Sequence, residues 1–309
     1  MPSLNAVLRR VILAAADSRR IRRFVASHGL RLGAGRFVAG ETLDDAIRVL
    51  RRLNDQGFRA NTTLLGEGVA TEGEAAGVVA RYEEVVRRLA EERLQANVAL
   101  KLTHLGLVFD EELAYANVER LVAFAAGAGQ FIRIDMEESA RVDPTLRIYR
   151  RLREAGHDNV GTVLQSYLYR TPDDLESLLP LRPNFRLVKG AYLEPPDIAY
   201  PDKADVDRAY AALLERMLGE CAFTAVATHD ERLIRRAIEL AEARGLGSER
   251  FELQMLYGVR PQLQADLVRR GYGVLVATPY GPDWYPYLMR RLAERPANLL
   301  FFLRSLVRR

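Results

Sequence analysis

The chain has 309 residues, a single cysteine and a formal net charge of +4. A charge so small and scattered argues against a nucleic-acid partner. The lone Cys221 excludes an intramolecular disulfide and suits a reducing compartment, and no apolar run reaches the roughly 18 residues of a membrane-spanning helix.

Residues 4–40 differ from the rest. Val7, Leu8, Val11, Ile12 and Leu13 form one apolar face, flanked by Arg9, Arg10, Arg19, Arg20, Arg22 and Arg23. Such a basic amphipathic helix either lies on an anionic membrane or packs on the main domain or on a second copy of the chain. No signal-peptide pattern opens the chain, so the expected location is cytoplasmic or peripheral on the inner face of the cell membrane. Gly33-Ala34-Gly35 lacks the strand-turn-helix setting of a dinucleotide fingerprint. A helix is expected from about Leu43 to Leu53, after a Thr42 cap.

From Asn61 a short strand, a loop and an amphipathic helix repeat. Candidate strands lie near 62–66, 97–102, 131–135, 160–165, 185–189, 223–227, 251–255 and 273–277. Helical spacing between them shows in Val78, Tyr82, Val85, Val86, Leu89 and again in Leu233, Ile234, Ala237, Ile238, Ala241. Asp143-Pro144 and Thr171-Pro172 each read as a cap followed by proline at the first helical position. Eight such units imply a (β/α)8 TIM-type barrel, of about 250 residues in its usual form, and are more regular than an open doubly wound sheet needs. The division expected is an N-terminal helical arm (1–40) and an α/β barrel (41–309).

Barrel enzymes carry their chemistry at the carboxyl ends of the strands, and here those ends are polar. Lys101 closes the second strand, and alternation turns Arg133 and Asp135 of the third inward. Gln165 ends the fourth, Arg186 lies on the fifth, and Glu252 and Gln254 lie on the seventh. Unpaired buried charge costs several kcal/mol, so this many polar side chains point to a polar ligand in the barrel mouth. Thr228-His229-Asp230 opens a helix, where amides can take a phosphate or Asp230 can simply cap. The histidines lack metal-ligand spacing, so no metal site is expected, and there is no G-x-S-x-G nucleophile elbow. Lys101 or Lys189 at a strand end also suits a Schiff-base aldolase. In the stretch 278–298, Pro279 is expected to end the eighth strand, Tyr280-Gly281-Pro282 to turn, and a helix to run on to Pro296. On that helix Arg290 and Arg291 are neighbours with Glu294 one turn on, a fork for a carboxylate.

LGEGVAT (65–71), ALKLTHLG (99–106), IRIDMEES (132–139), LQSYLYRTPDDL (164–175), RLVKGAYLE (186–194), ATHD (227–230), FELQMLYG (251–258) and YLMRRLAERPAN (287–298) together resemble the proline dehydrogenase family. The likeness runs from about residue 37 onward. It implies a flavin-dependent barrel enzyme that oxidises L-proline to Δ1-pyrroline-5-carboxylate, with FAD as cofactor and a quinone as electron acceptor. The short helical arm is similar to the single-function bacterial branch, without an attached aldehyde dehydrogenase. By matched position, the resemblance assigns the substrate carboxylate to Arg290, Arg291 and Lys101, with Asp135 behind Lys101. It places Tyr192 and Leu256 along the substrate ring and Arg186 against the flavin N5 edge. Gln165 is assigned to the flavin head, and Lys189, Thr228 and His229 to the dinucleotide tail. Val188, Gly190, Gln254 and Glu294 complete the cofactor set, Glu294 also steadying the arginine fork. One departure stands out: the family's usual tyrosine three residues before Tyr280 is here Ala277. The resemblance then implies either a pocket open to 4-hydroxyproline or another cyclic amino acid, or a gap filled by Tyr280 or Tyr285 with proline retained.

Overall fold

A computed structural model describes residues 34–66 and 68–294, Ala34 and residues 290–294 by backbone alone. The expected arm therefore lies outside the described residues up to residue 33, as does Pro296. Among the described residues eight parallel strands close into one barrel in sequence order: β1 (Arg59–Leu64), β2 (Ala96–Leu100), β3 (Ile132–Ile134), β4 (Val160–Gln165), β5 (Asn184–Val188), β6 (Phe223–Ala227), β7 (Phe251–Leu256) and β8 (Val274–Tyr280). The helices between them are α1 (Leu43–Asp55), α2 (Glu72–Glu91), α3 (Glu111–Gly127), α4 (Val142–Glu154), α5 (Thr171–Leu178), α6 (Lys203–Glu220), α7 (Glu231–Ala243), α8 (Pro261–Arg269) and α9 (Trp284–Glu294).

The outward strand faces and the inner helix faces form the apolar core. Ile132, Ile134, Phe185, Leu187, Leu253 and Val276 are fully buried there, against residues such as Tyr82, Val86 and Tyr210. The inward positions follow the register. Ala99 pairs Arg133 and Arg133 pairs Gly161, while Val163, Arg186, Ala225 and Glu252 follow one another across β4 to β7. Small residues alternate with long polar ones. A Cβ on Gly161 would overlap the Arg133 guanidinium and the Asn184 carbonyl, so glycine leaves room for the long side chain.

The expected helix after Thr42 forms with a complete capping box between Thr42 and Asp45. Three local readings are corrected. Pro279 and Tyr280 do not turn: they extend β8 beside Thr63 and Leu64 of β1. The β7–β8 pairing has ended by Leu256 and Ala277, so Pro279 sits on a one-sided edge where its missing N–H is tolerated. Asp143 and Pro144 fall inside the first turn of α4, because a 3-10 turn (Ser139–Arg141) has already begun the coil. Thr171 is the first residue of α5 rather than its cap, and its hydroxyl donates to the Gln165 carbonyl at 2.6 Å.

Phe37, Val38 and Ala39 are buried. The Ala39 N–H donates to Pro279 O at 2.8 Å, and the Gly281 N–H to Gly40 O at 3.0 Å. These last residues of the expected arm thus pack on the end of β8, as part of the barrel. Trp284 Nε1 donates to Glu41 at 2.9 Å, which ties the start of α9 to the same entry segment and sets α9 beside the barrel mouth.

Candidate active site

A cavity of about 360 Å³ opens at the carboxyl ends of the strands, within the usual range for small-molecule sites. Its wall takes Asn61 and Thr63 from β1, Lys101 after β2, Asp135 after β3, Arg186 from β5, Leu256 from β7 and Ala277 from β8, with Asp283, Pro286 and Tyr287 from the segment of α9. Register brings these together: Leu256 pairs Ala277, Ala277 pairs Asn61, and Asn61 pairs Asn97. Neighbouring residues of parallel strands face the same side, so Leu256, Ala277 and Asn61 form one layer of the wall.

Arg186 is the centre of the site. Its Nη1 donates to Asp135 Oδ1 at 2.7 Å and its Nε to Gln254 Oε1 at 2.6 Å. The buried Nη2 has no hydrogen-bond partner. Gln254 Nε2 in turn donates to Glu252 Oε1 at 2.7 Å, and Glu252 Oε2 meets Arg59 Nη1 at 3.3 Å. Beneath Arg186, Arg133 donates to the carbonyls of Thr162 and Asn184 at 3.0 and 2.8 Å and to Asn184 Oδ1 at 2.6 Å. Burial, then the neighbouring Arg186 cation, pushes the Arg133 guanidinium down to about 9, still charged at neutral pH.

Glu137 is buried beside the turn that carries Lys101. It accepts from Thr103 N at 3.2 Å and Thr103 Oγ1 at 2.7 Å. Burial raises its carboxyl, against the hydrogen bonds of Thr103 and the charge of Lys101. The Glu137 carbonyl also accepts from Gln165 Nε2 at 3.2 Å, and Gln165 Oε1 is left buried without a partner.

The other expected residues lie elsewhere. Lys189 is ion-paired with Asp207 and, at 3.3 Å, with Asp230. Asp230 caps α7 through the Arg232 N–H at 3.1 Å. Burial alone would raise the Asp230 carboxyl, but hydrogen bonds from Arg232 and Lys189 hold it at about 2. His229 Nε2 accepts from the Leu256 N–H at 2.9 Å, which puts its ring proton on Nδ1, and Thr228 Oγ1 accepts from Asp230 N at 3.2 Å. The Val188 and Lys189 carbonyls accept from Ser166 and Tyr167 N–H groups, each at 2.9 Å. Gly190 has φ +116°, and a Cβ there would overlap the Tyr167 ring. Tyr192 is half-buried and is not among the cavity-lining residues, nor are Tyr280 and Tyr285, both buried. The side chains of Arg290, Arg291 and Glu294 lie outside the described residues; their backbone is helical, in α9.

Sequence reasoning passes over Asn61, Thr63, Tyr287 and the Thr103–Glu137 pair. The first two carry a visible signal, since Asn61-Thr62-Thr63 sets three polar residues in a row between Ala60 and Leu64. The last pair does not, because two residues 34 apart meet only through the closure of β2 against β3.

The Proline dehydrogenase family model matches residues 46–304. The chain belongs to the proline dehydrogenase family. It is 40% identical to proline dehydrogenase 1 of Bacillus subtilis (strain 168) over 303 residues, 98% of this chain and 100% of that protein. It is 41% identical to a proline dehydrogenase of Deinococcus radiodurans over 309 residues, 99% of each. The crystal structure of proline utilization A from Bdellovibrio bacteriovorus superposes with a TM-score of 0.80 at 24% identity. That likeness covers 93% of this chain but only 36% of the longer protein and shows the barrel fold alone. Members of the family are flavoenzymes, which displaces the Schiff-base aldolase reading; Lys189, one of its two candidate lysines, is in any case engaged by two carboxylates. Among the described residues no helix is long and apolar enough to cross a membrane.

Proposed function

We propose that the chain oxidises L-proline to Δ1-pyrroline-5-carboxylate with FAD as its cofactor and passes the electrons to a quinone. The observation that carries the reading is the Asp135–Arg186 pair in a cavity shared with Lys101, Leu256 and Ala277, in a chain of this family. The residues present suit a flavin ring. The buried Gln165 Oε1 can accept from a ring N–H and the buried Arg186 Nη2 can donate to a ring nitrogen or carbonyl, and neither atom has a protein partner. Two such atoms near the barrel mouth suit a bound polar group.

The flavin, when bound, supplies the two-electron acceptor for a hydride from the ring carbon. The protein supplies position and field. Lys101 is assigned the substrate carboxylate, together with the Arg290–Arg291 fork. Leu256 and Ala277 offer an apolar wall to the ring, and enclosing it excludes water and fixes the reacting atoms. Arg186 is held by Asp135 and Gln254 so that its positive edge favours the electron-rich reduced cofactor. Lys189, Gly190, Val188, Thr228 and His229 are assigned to the rest of the cofactor. The Lys189–Asp230 contact would then loosen in favour of an anionic tail.

The test is anaerobic. Flavin-loaded protein should bleach on addition of L-proline; protein that takes up no FAD, or a bound flavin that proline leaves oxidised, would refute the reading. Ala277 on the cavity wall supports a second reading, in which the pocket admits 4-hydroxyproline or a larger cyclic amino acid. For the arm, association with an anionic membrane is proposed, where a quinone is found. Deleting residues 1–23 should abolish liposome co-sedimentation and spare activity with a soluble dye, and full-length protein that never sediments would make the arm a packing element.

A further inference from the structure

Glu252 does not line the cavity, yet apolar packing does not account for it. It is only 4% exposed, on β7 inside the barrel, and shares a layer with Ala225 and Arg186. One carboxylate oxygen takes the Gln254 amide at 2.7 Å and the other meets Arg59 at 3.3 Å. The two ends of a glutamine amide are nearly the same size, so its partners decide which end points where. Here both partners are one-way. The Arg186 Nε–H only donates, and an ionised carboxylate only accepts. Gln254 therefore has a single orientation, oxygen to Arg186 and nitrogen to Glu252.

That orientation propagates. With Nε tied to Gln254 and Nη1 tied to Asp135, Arg186 keeps Nη2 as its one buried nitrogen without a partner. Resting on the flavoenzyme reading above, we propose that Glu252 is a positioning residue for Arg186: through the Gln254 amide it helps to fix the orientation of the guanidinium at the cavity wall. Without Glu252 the Gln254 nitrogen loses the carboxylate it donates to, only the Arg186 Nε–H still orients the amide, and the Nε anchor is weakened. The guanidinium then rests chiefly on Asp135, through the single nitrogen Nη1.

The experiment uses flavin-loaded wild type, E252L, E252Q, Q254L and the E252L/Q254L double variant. Thermal midpoints and the FAD dissociation constant report folding and cofactor binding. Stopped-flow reduction by proline gives the limiting rate separately from the substrate dissociation constant. E252L should lower the limiting rate by on the order of 10–100-fold, the range known for outer-shell residues that orient metal ligands, with a smaller change in substrate affinity. E252Q keeps one acceptor oxygen; with that oxygen on Gln254 Nε2 its NH2 faces Arg59, which is 41% exposed and can turn to solvent, so the variant should restore part of the rate. E252L should add nothing to Q254L, because it acts through that amide. An unchanged limiting rate in E252L, equal losses in E252L and E252Q, or losses that multiply in the double variant would each overturn the relay. A crystal structure of E252L reads the geometry without turnover: Arg186 still bonded to both Gln254 and Asp135 would also overturn it. Wild type that proline does not reduce would sink the parent reading instead, and the E252L structure would still decide the relay.

Discussion

Replacing Ala277 by tyrosine should narrow the cavity where β7, β8 and β1 meet. Ala277 is half-buried, its layer neighbours are Leu256 and Asn61, and all three line the cavity. Its carbonyl is fixed by the Tyr257 N–H at 2.9 Å, so the backbone has little room to withdraw the new ring. A phenol on this position must project from the wall into a space of about 360 Å³. Apolar pockets discriminate a small added group by about 1–3 kcal/mol, roughly 10–200-fold in kcat/KM. The substitution should therefore leave proline oxidation within about tenfold while cutting kcat/KM for 4-hydroxyproline and pipecolate by roughly 10–200-fold relative to proline. The assay is steady-state dye reduction with the three substrates, wild type beside A277Y. Unchanged ratios would show that residue 277 does not face the substrate ring and would refute the reasoning.

Arg186→Met removes the central guanidinium and leaves Asp135 Oδ1 and Gln254 Oε1 without the donor they accept from. Asp135 keeps partial exposure (25%), so urea unfolding should show a loss of about 1–3 kcal/mol, with proline reduction nearly abolished. Near-normal turnover would remove Arg186 from the chemistry. Asp230 is held at about 2, below its ordinary 3.8, so it contributes stability above 3.8 that is lost as pH falls through about 2. Asp230→Asn keeps a good helix cap but removes the charge, and its urea midpoint should vary less between about pH 4 and pH 2 than that of the wild type; parallel curves would contradict the assignment. Gly190→Ala forces a Cβ into the Tyr167 ring at φ +116°. It should lower the thermal midpoint and weaken FAD binding, at a cost of at least about 1–3 kcal/mol, and unaltered values on both counts would deny the close approach.

Local sequence is enough for the barrel. Residue alternation, the helical spacing of apolar residues and the capping signals lie within a few positions of each other. Eight strands and the inward direction of Arg133 and Asp135 are therefore legible in the order of residues itself. Motif likeness carries the family in the same way. Alternation, however, says which face a side chain takes and not which neighbour it meets. Arg186 finds Asp135 across 51 residues and Gln254 across 68, and only the register of closed strands sets those pairs. The same closure sends Lys189 to Asp207 and Asp230 and lets Pro279 continue β8, because the β7 neighbour has already ended. It also brings Phe37 to Ala39 onto the barrel, where a composition shift suggests a separate arm. Sequence determines the period and face of each element through nearest-neighbour sterics. The tertiary structure alone decides the partners, because distant strands must share one register before their charges can pair.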